Sequence, residues 1–126
     1  MIRNHCKSGD IVLDIDADDS IVGRQVFNVI NALYQGSDNW FVYSTYLFKR
    51  TNRQRVQVGR CADILKEDFK QNSYRTSKSW VTSELRSYYR DLFVKIPREY
   101  FFKNETHYNL WAADRYVMYA VTELAG

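Results

Sequence analysis

Apolar and polar positions along the chain divide it into segments with two different periods. Residues 11–16, from Ile11 to Asp16, form an apolar, β-branched run that ends in acid, and the preceding Ser8-Gly9-Asp10 carries turn chemistry. A buried strand is predicted there. From Gly23 to Tyr34 the period changes: Val26, Val29, Ile30, Leu33 and Tyr34 fall on one helical stripe. Asp19 or Ser20 is the expected N-cap of that helix and Gly36 its stop. Residues 40–47, Trp40 to Leu47, are aromatic and β-branched and predict a second strand, so the order strand, helix, strand argues for a βαβ unit with parallel pairing.

Further along, residues 49–60 have no period and read as an exposed loop. Residues 80–88 predict another strand, running into a short helix near Arg90-Asp91-Leu92-Phe93 that must stop before Pro97. Residues 112–126 predict a final amphipathic helix with Val117, Ala120, Val121 and Leu124 on one face.

The chain has 126 residues, of which 45% are hydrophobic and 26% charged. That composition excludes collagen, low-complexity linkers and disordered tails, and the length suits one domain or part of one. Net charge is +3, with three basic and six acidic side chains in residues 1–48 and fifteen and nine thereafter. An acidic element thus precedes a basic one, as befits a cation and a polyanion meeting in one cleft. Cys6 and Cys61 lack zinc-ligand or disulfide-framework spacing, so reduced thiols in a cytoplasmic setting are expected. No apolar run is long enough for a membrane span and no signal-peptide core follows Met1. Asn104-Glu105-Thr106 fits a glycosylation sequon, which matters only on secretion.

The densest chemistry is Asp14-Ile15-Asp16-Ala17-Asp18-Asp19. In extended chain, Asp14, Asp16 and Asp18 share a face about 7 Å apart and repel by about 2.4 kcal/mol per pair at an effective dielectric of about 20. Such repulsion calls for a cation. Carboxylates select hard ions, which makes Mg²⁺ or Mn²⁺ the natural partner, together with substrate phosphates. A calcium loop competes, but its required glycine is Asp19 here and its bidentate Glu is Gln25. A solvated acidic turn at the start of the following helix is the bland alternative.

The stretch Gly9 to Asp19 resembles the strand and DxD motif of family 2-like glycosyltransferases with the GT-A fold, where an apolar strand runs into D-G-D-D or D-A-D-D. Tyr43-Ser44 lies where relatives carry Y-G, and Thr82 to Tyr88 looks like their S-H-L-R-T-F segment. Asp114 to Gly126 is similar to their D-x-x-x-M-x-x-x-x-E-M-A-G helix, with Met118 and Glu123 on the matching places.

The resemblance implies a partial, Rossmann-like GT-A domain: α/β, with a mixed, mostly parallel sheet flanked by helices. Residues 1–126 would be a single domain matching the C-terminal half, on the metal and acceptor side, because only ten residues precede the first strand. It further implies that Asp16 and Asp18 hold the metal, that Asp16 and Asp19 face a nucleotide-diphosphate sugar donor, and that Asp114 is the catalytic base. N-cap of the last helix is the alternative role of Asp114, and Arg86 holds either a diphosphate oxygen of that donor or an internal carboxylate. The acceptor would be a hydroxyl of a glycan, protein or small molecule. A non-catalytic metal- or ligand-binding remnant of the same fold is the alternative.

Other candidates are less specific. Lys49, Arg50, Arg53, Arg55 and Arg60 lie among aromatic residues, but no nucleic-acid-binding pattern accompanies them, so no nucleic-acid partner is expected. His5 and His107 are isolated, and Trp80 and Trp111 read as packing residues.

Overall fold

The computed structural model describes residues 2–49, 56–59, 61–77, 82, 84–104, 107–108 and 113–126. In chain order its elements are α1 (Ile2–His5), β1 (Ile11–Asp14), α2 (Val26–Gln35), β2 (Phe41–Ser44), β3 (Tyr46–Lys49), β4 (Val56–Gly59), α3 (Lys66–Gln71), β5 (Glu84–Tyr89), α4 (Arg90–Lys95), β6 (Phe102–Asn104), β7 (His107–Tyr108) and α5 (Ala113–Ala125). Short 3-10 turns occupy Tyr74–Thr76 and Arg98–Phe101.

The α/β class holds, but the parallel pairing does not. The central sheet has the order β1-β5-β2, and both pairings are antiparallel. β1 and β2 therefore run in the same direction, as a strand-helix-strand crossover requires, yet β5 lies between them and takes the ladder on each side. The sequence places β5 forty residues beyond β2, which periodicity cannot bring back.

The register divides the sheet into two faces. Val12, Arg86, Tyr88 and Phe41 share one face, and Leu13, Ser87 and Val42 share the other. On the first face Tyr88 joins Leu92, Ile96, Met118, Ala120 and Val121 in the buried core, so α4 and α5 cover it. Each fully buried aliphatic side chain there stabilises the fold by about 1.5–3 kcal/mol. On the second face α2 lays Tyr34 against Ser87, hydroxyl to hydroxyl at 3.0 Å. Both faces of β5 are thus covered, and Arg86, Ser87 and Tyr88 are all buried.

Several expected boundaries move for identifiable reasons. α2 begins at Val26 with Gln25 at the N-cap, not Asp19 or Ser20, because Gly23 sits at φ +102° and breaks helical geometry before it. The expected strand over 40–47 splits into β2 and β3, and the expected loop over 49–60 contains β4. Val56 and Val58 alternate opposite Lys49 and Leu47 and close a hairpin. At its base the Tyr46 ring lies so close to Gly59 that a Cβ there would come within 2.3 Å of it. In α5 the buried face centres on Met118 and Val121, and Leu124 is exposed. α4 ends at Lys95 and Ile96 turns extended before Pro97, as expected.

Arg50, Arg53, Arg55, Arg60, Trp80, Trp111, and the Glu105 and Thr106 of the sequon lie outside the described residues. Within the described residues no helix is long and apolar enough to cross a membrane.

Candidate functional site

β1 ends at Asp14, where the chain leaves the sheet and turns, with Asp19 N–H donating to the Asp16 carbonyl at 3.0 Å. Across the ladder from Asp14 stands Arg86. Its side chain is 2% exposed although it belongs to one of the residue types rarely buried without partners. Arg86 Nη2 donates to Asp16 Oδ1 at 2.6 Å, Nη1 donates to Asp114 Oδ2 at 3.1 Å, and Nε lies 3.6 Å from Asp14 Oδ2. One guanidinium therefore gathers carboxylates from β1, from the turn after it and from the first turn of α5. The planar fork of arginine suits such multiple pairing in a way the point charge of lysine does not.

A local irregularity accompanies Arg86. The β2 ladder runs from Val42 opposite Ser87 to Ser44 opposite Glu84, so β5 carries one extra residue over that interval. Leu85, within it, takes φ +38°, left-handed backbone that a non-glycine residue adopts at a cost. Bulges of this kind bend a strand and re-aim side chains. Here the bulge falls immediately before the arginine that organises the cluster.

Three carboxylates around one cation leave the cluster net negative, and Asp14 and Asp114 are more enclosed than Asp16. Burial pushes the Asp14 carboxyl above the usual carboxylate range, Arg86 opposes that rise, and Asp16 and Asp114 reinforce it. Asp114 is the second residue of α5, where its charge also favours the helix N-terminus.

The sequence-derived site residues are thus partly assembled. Asp16, Arg86 and Asp114 meet, and Asp14, which belongs to the acidic run but to which the resemblance assigns no role, joins them. Asp18 and Asp19 stand apart on the turn, exposed, and neither side chain makes a hydrogen bond or ion pair with the described residues. The expected shared face of Asp14, Asp16 and Asp18 fails because the strand ends before Asp16. Of the two partners the sequence leaves open for Arg86, a diphosphate oxygen or an internal carboxylate, the structure shows internal carboxylates.

No three His, Cys, Asp or Glu side chains among the described residues cluster so as to hold a metal by themselves. Asp16 and Asp18 supply hard oxygen donors on one exposed turn, and Asp16 is 48% exposed with Oδ2 outside its bond to Arg86.

Two open hollows flank the sheet elsewhere. One, of about 500 Å³, is lined by Leu33, Phe41, Tyr43 and Phe69 among others. The second, of about 900 Å³, lies at the start of β1 and the end of β5, between Gly9, Tyr34, Trp40 and Tyr89. Neither is lined by the carboxylates or Arg86.

No family model, curated protein or solved structure matches this chain.

Proposed function

We propose that this chain is the metal- and acceptor-side half of a glycosyltransferase domain of the GT-A kind, transferring a sugar from a nucleotide-diphosphate donor to a hydroxyl acceptor. One observation carries the reading: Asp16, at the end of the first strand, and Asp114, at the start of the last helix, meet on Arg86. The motif resemblance of Gly9 to Asp19 and of Asp114 to Gly126 names those two segments, and the fold brings them to one place.

In this reading Asp16 and Asp18 hold Mg²⁺ or Mn²⁺, which when bound neutralises charge on the diphosphate leaving group. Asp19 extends the acidic turn on the donor side. Arg86 binds Asp114 through Oδ2, and Oδ1 would accept the proton of an acceptor hydroxyl. The same guanidinium binds Asp16 and so ties the donor-side carboxylate to the acceptor-side one.

A second reading, a non-catalytic remnant of the fold, is favoured by one specific feature. Arg86 already supplies a counter-charge to Asp14, Asp16 and Asp114, so the cluster can exist as an internal tie without any ion.

Calorimetry of Mn²⁺ with UDP or GDP separates the two. The transferase reading expects metal-dependent nucleotide binding that weakens at least tenfold in Asp18→Ala, whose melting temperature stays at that of the parent because Asp18 is exposed and unpaired among the described residues. Equal binding by parent and variant defeats the assignment. Metal-dependent release of free sugar from a sugar nucleotide excludes the remnant.

A further inference from the structure

The hollow of about 900 Å³ at the start of β1 lies at the end of the sheet away from the carboxylate cluster, and its volume falls within the range of small-molecule sites. Its aromatic wall is built. Trp40 is 48% exposed, yet its ring stands edge-on to Tyr89 with centroids 6.1 Å apart, and Tyr89 stands edge-on to Tyr34 at 5.0 Å. Tyr34 is in turn anchored to buried Ser87, and Tyr89 N–H donates to the Trp40 carbonyl at 3.2 Å. The indole is therefore about half exposed and braced by Tyr89.

The polar wall divides into spent and available groups. Asp91 takes Ser8 Oγ at 2.7 Å and Gly9 N–H at 3.1 Å on one oxygen and Arg90 on the other, so it is structural. Asn39 Nδ2 donates to the Leu33 carbonyl at 3.0 Å and to Ser37 Oγ at 2.6 Å, which fixes the amide and leaves Oδ1 as an acceptor. Asp38 and Gln35 line the hollow without side-chain hydrogen bonds to the described residues. Together they offer a carboxylate, a full amide and an amide oxygen beside one aromatic face.

We propose that this hollow binds a neutral sugar ring, stacked on Trp40 and hydrogen-bonded through its hydroxyls to Asp38, Gln35 and Asn39. A pyranose has one apolar C–H face, which meets the electron-rich face of an aromatic ring. Its adjacent hydroxyls are donors as well as acceptors and match acceptor-rich planar groups such as carboxylate and amide. An organic cation fits less well, because Tyr34 is buried and Tyr89 half-buried, so Trp40 alone presents an exposed ring and one such ring makes no cage. The proposal is independent of the transferase reading, since it shares no residue with the carboxylate cluster.

Titration of ¹⁵N-labelled protein with methyl β-glucopyranoside, methyl α-mannopyranoside and maltose tests it. The expected result is fast-exchange shifts of the Trp40 indole N–H and the amides of residues 36–40, with Kd of about 1 mM for at least one sugar. Trp40→Ala and Asp38→Ala should each weaken that binding at least tenfold, Trp40→Phe should restore part of it, and Asp18→Ala should leave it unchanged. Absence of shifts with all three sugars at tens of millimolar overturns the proposal, as does binding that survives Trp40→Phe and Trp40→Ala alike. Tighter binding of choline than of any sugar also overturns it.

Discussion

Asp16, just beyond β1, and Asp114, in the first turn of α5, accept hydrogen bonds from the two terminal nitrogens of a single guanidinium, that of Arg86, at 2.6 and 3.1 Å. The arginine is buried while its partners are about one-third to one-half exposed, so water screens the carboxylates more than the cation. Removing the cation leaves three like charges together, with Asp14 and Asp114 only about one-third exposed. Arg86→Met is expected to destabilise the protein by about 3 kcal/mol, the low end for breaking a buried ion network, because the carboxylates can still turn to solvent. Arg86→Lys should recover only part of that loss, since one ammonium cannot reach all three partners. Urea denaturation measures both, and a Met variant within about 0.5 kcal/mol of the parent would remove the structural role of the tie.

Leu85 gives a test of the bulge that positions Arg86. Its φ of +38° suits glycine, and its side chain is half-buried. Leu85→Ala and Leu85→Gly lose much the same packing, so their difference isolates the backbone. The Gly variant should be the more stable of the two by about 1 kcal/mol, because relief of left-handed strain exceeds the extra entropy of a glycine chain. Thermal or urea unfolding with alanine as the more stable variant would show that the backbone relaxes to ordinary strand geometry once leucine is gone.

How far the sequence disclosed this arrangement depends on the range of each signal. Local periodicity located β1, α2, α4 and α5, since the stripe of Val26, Ile30 and Tyr34 and the stop before Pro97 are contained within single turns of chain. The partner of β1 was not contained there. β5 reaches its place between β1 and β2 through long-range pairing, and a strand that mixes Glu84, Arg86 and Ser87 with Leu85, Tyr88 and Tyr89 has no alternation that reports which strands it will join. The hairpin of β3 and β4 was hidden by the basic run that begins at Lys49, whose charge reads as loop although Val56 and Val58 keep strand spacing. Of the site, residue types announced Asp16 and Asp114 through motif resemblance. Only the fold shows that Arg86 binds both and that Asp18 stands outside the cluster.

Tyr34 links α2 to the central strand through its hydroxyl contact with Ser87, and both residues are buried. Tyr34→Phe should cost about 1 kcal/mol, the net value of one buried hydrogen bond, with the Ser87 hydroxyl still served by the Val42 carbonyl at 3.3 Å. Burial pushes the Tyr34 phenol up to about 12 against the Ser87 hydrogen bond, which favours the ionised form. A phenol whose folded pKa is raised contributes stability below its unfolded value of 10.0 and loses it as pH climbs toward the folded value. The parent should therefore lose stability between about pH 10 and about pH 12 more steeply than Tyr34→Phe, measured by urea midpoints across that range. Parallel curves would mean that the phenol ionises as freely in the folded protein as in the unfolded chain.

Asp14 supplies the corresponding prediction on the acid side. Its folded pKa is raised above 3.8, chiefly by burial, despite the opposing charge of Arg86. The folded state then binds more protons than the unfolded chain just above that pH, so this residue's contribution to stability falls as pH rises through the window and returns as pH is lowered. Asp91 acts with the opposite sign: its hydrogen bonds from Ser8 and Gly9 hold its carboxyl below the usual range, so its contribution is present above 3.8 and lost on acidification. The two effects overlap in the parent, and a simple acid titration would mix them. Asp14→Asn separates them, because the amide keeps the shape of the side chain and removes only the Asp14 ionisation. The difference in unfolding free energy, variant minus parent, should increase as pH is raised from about 3 to about 7, with the Asn protein gaining relative to the parent. A difference that shrinks over that range would mean that attraction to Arg86 outweighs burial at Asp14, and the cluster would then be a stabilising ion network at neutral pH and not a strained one.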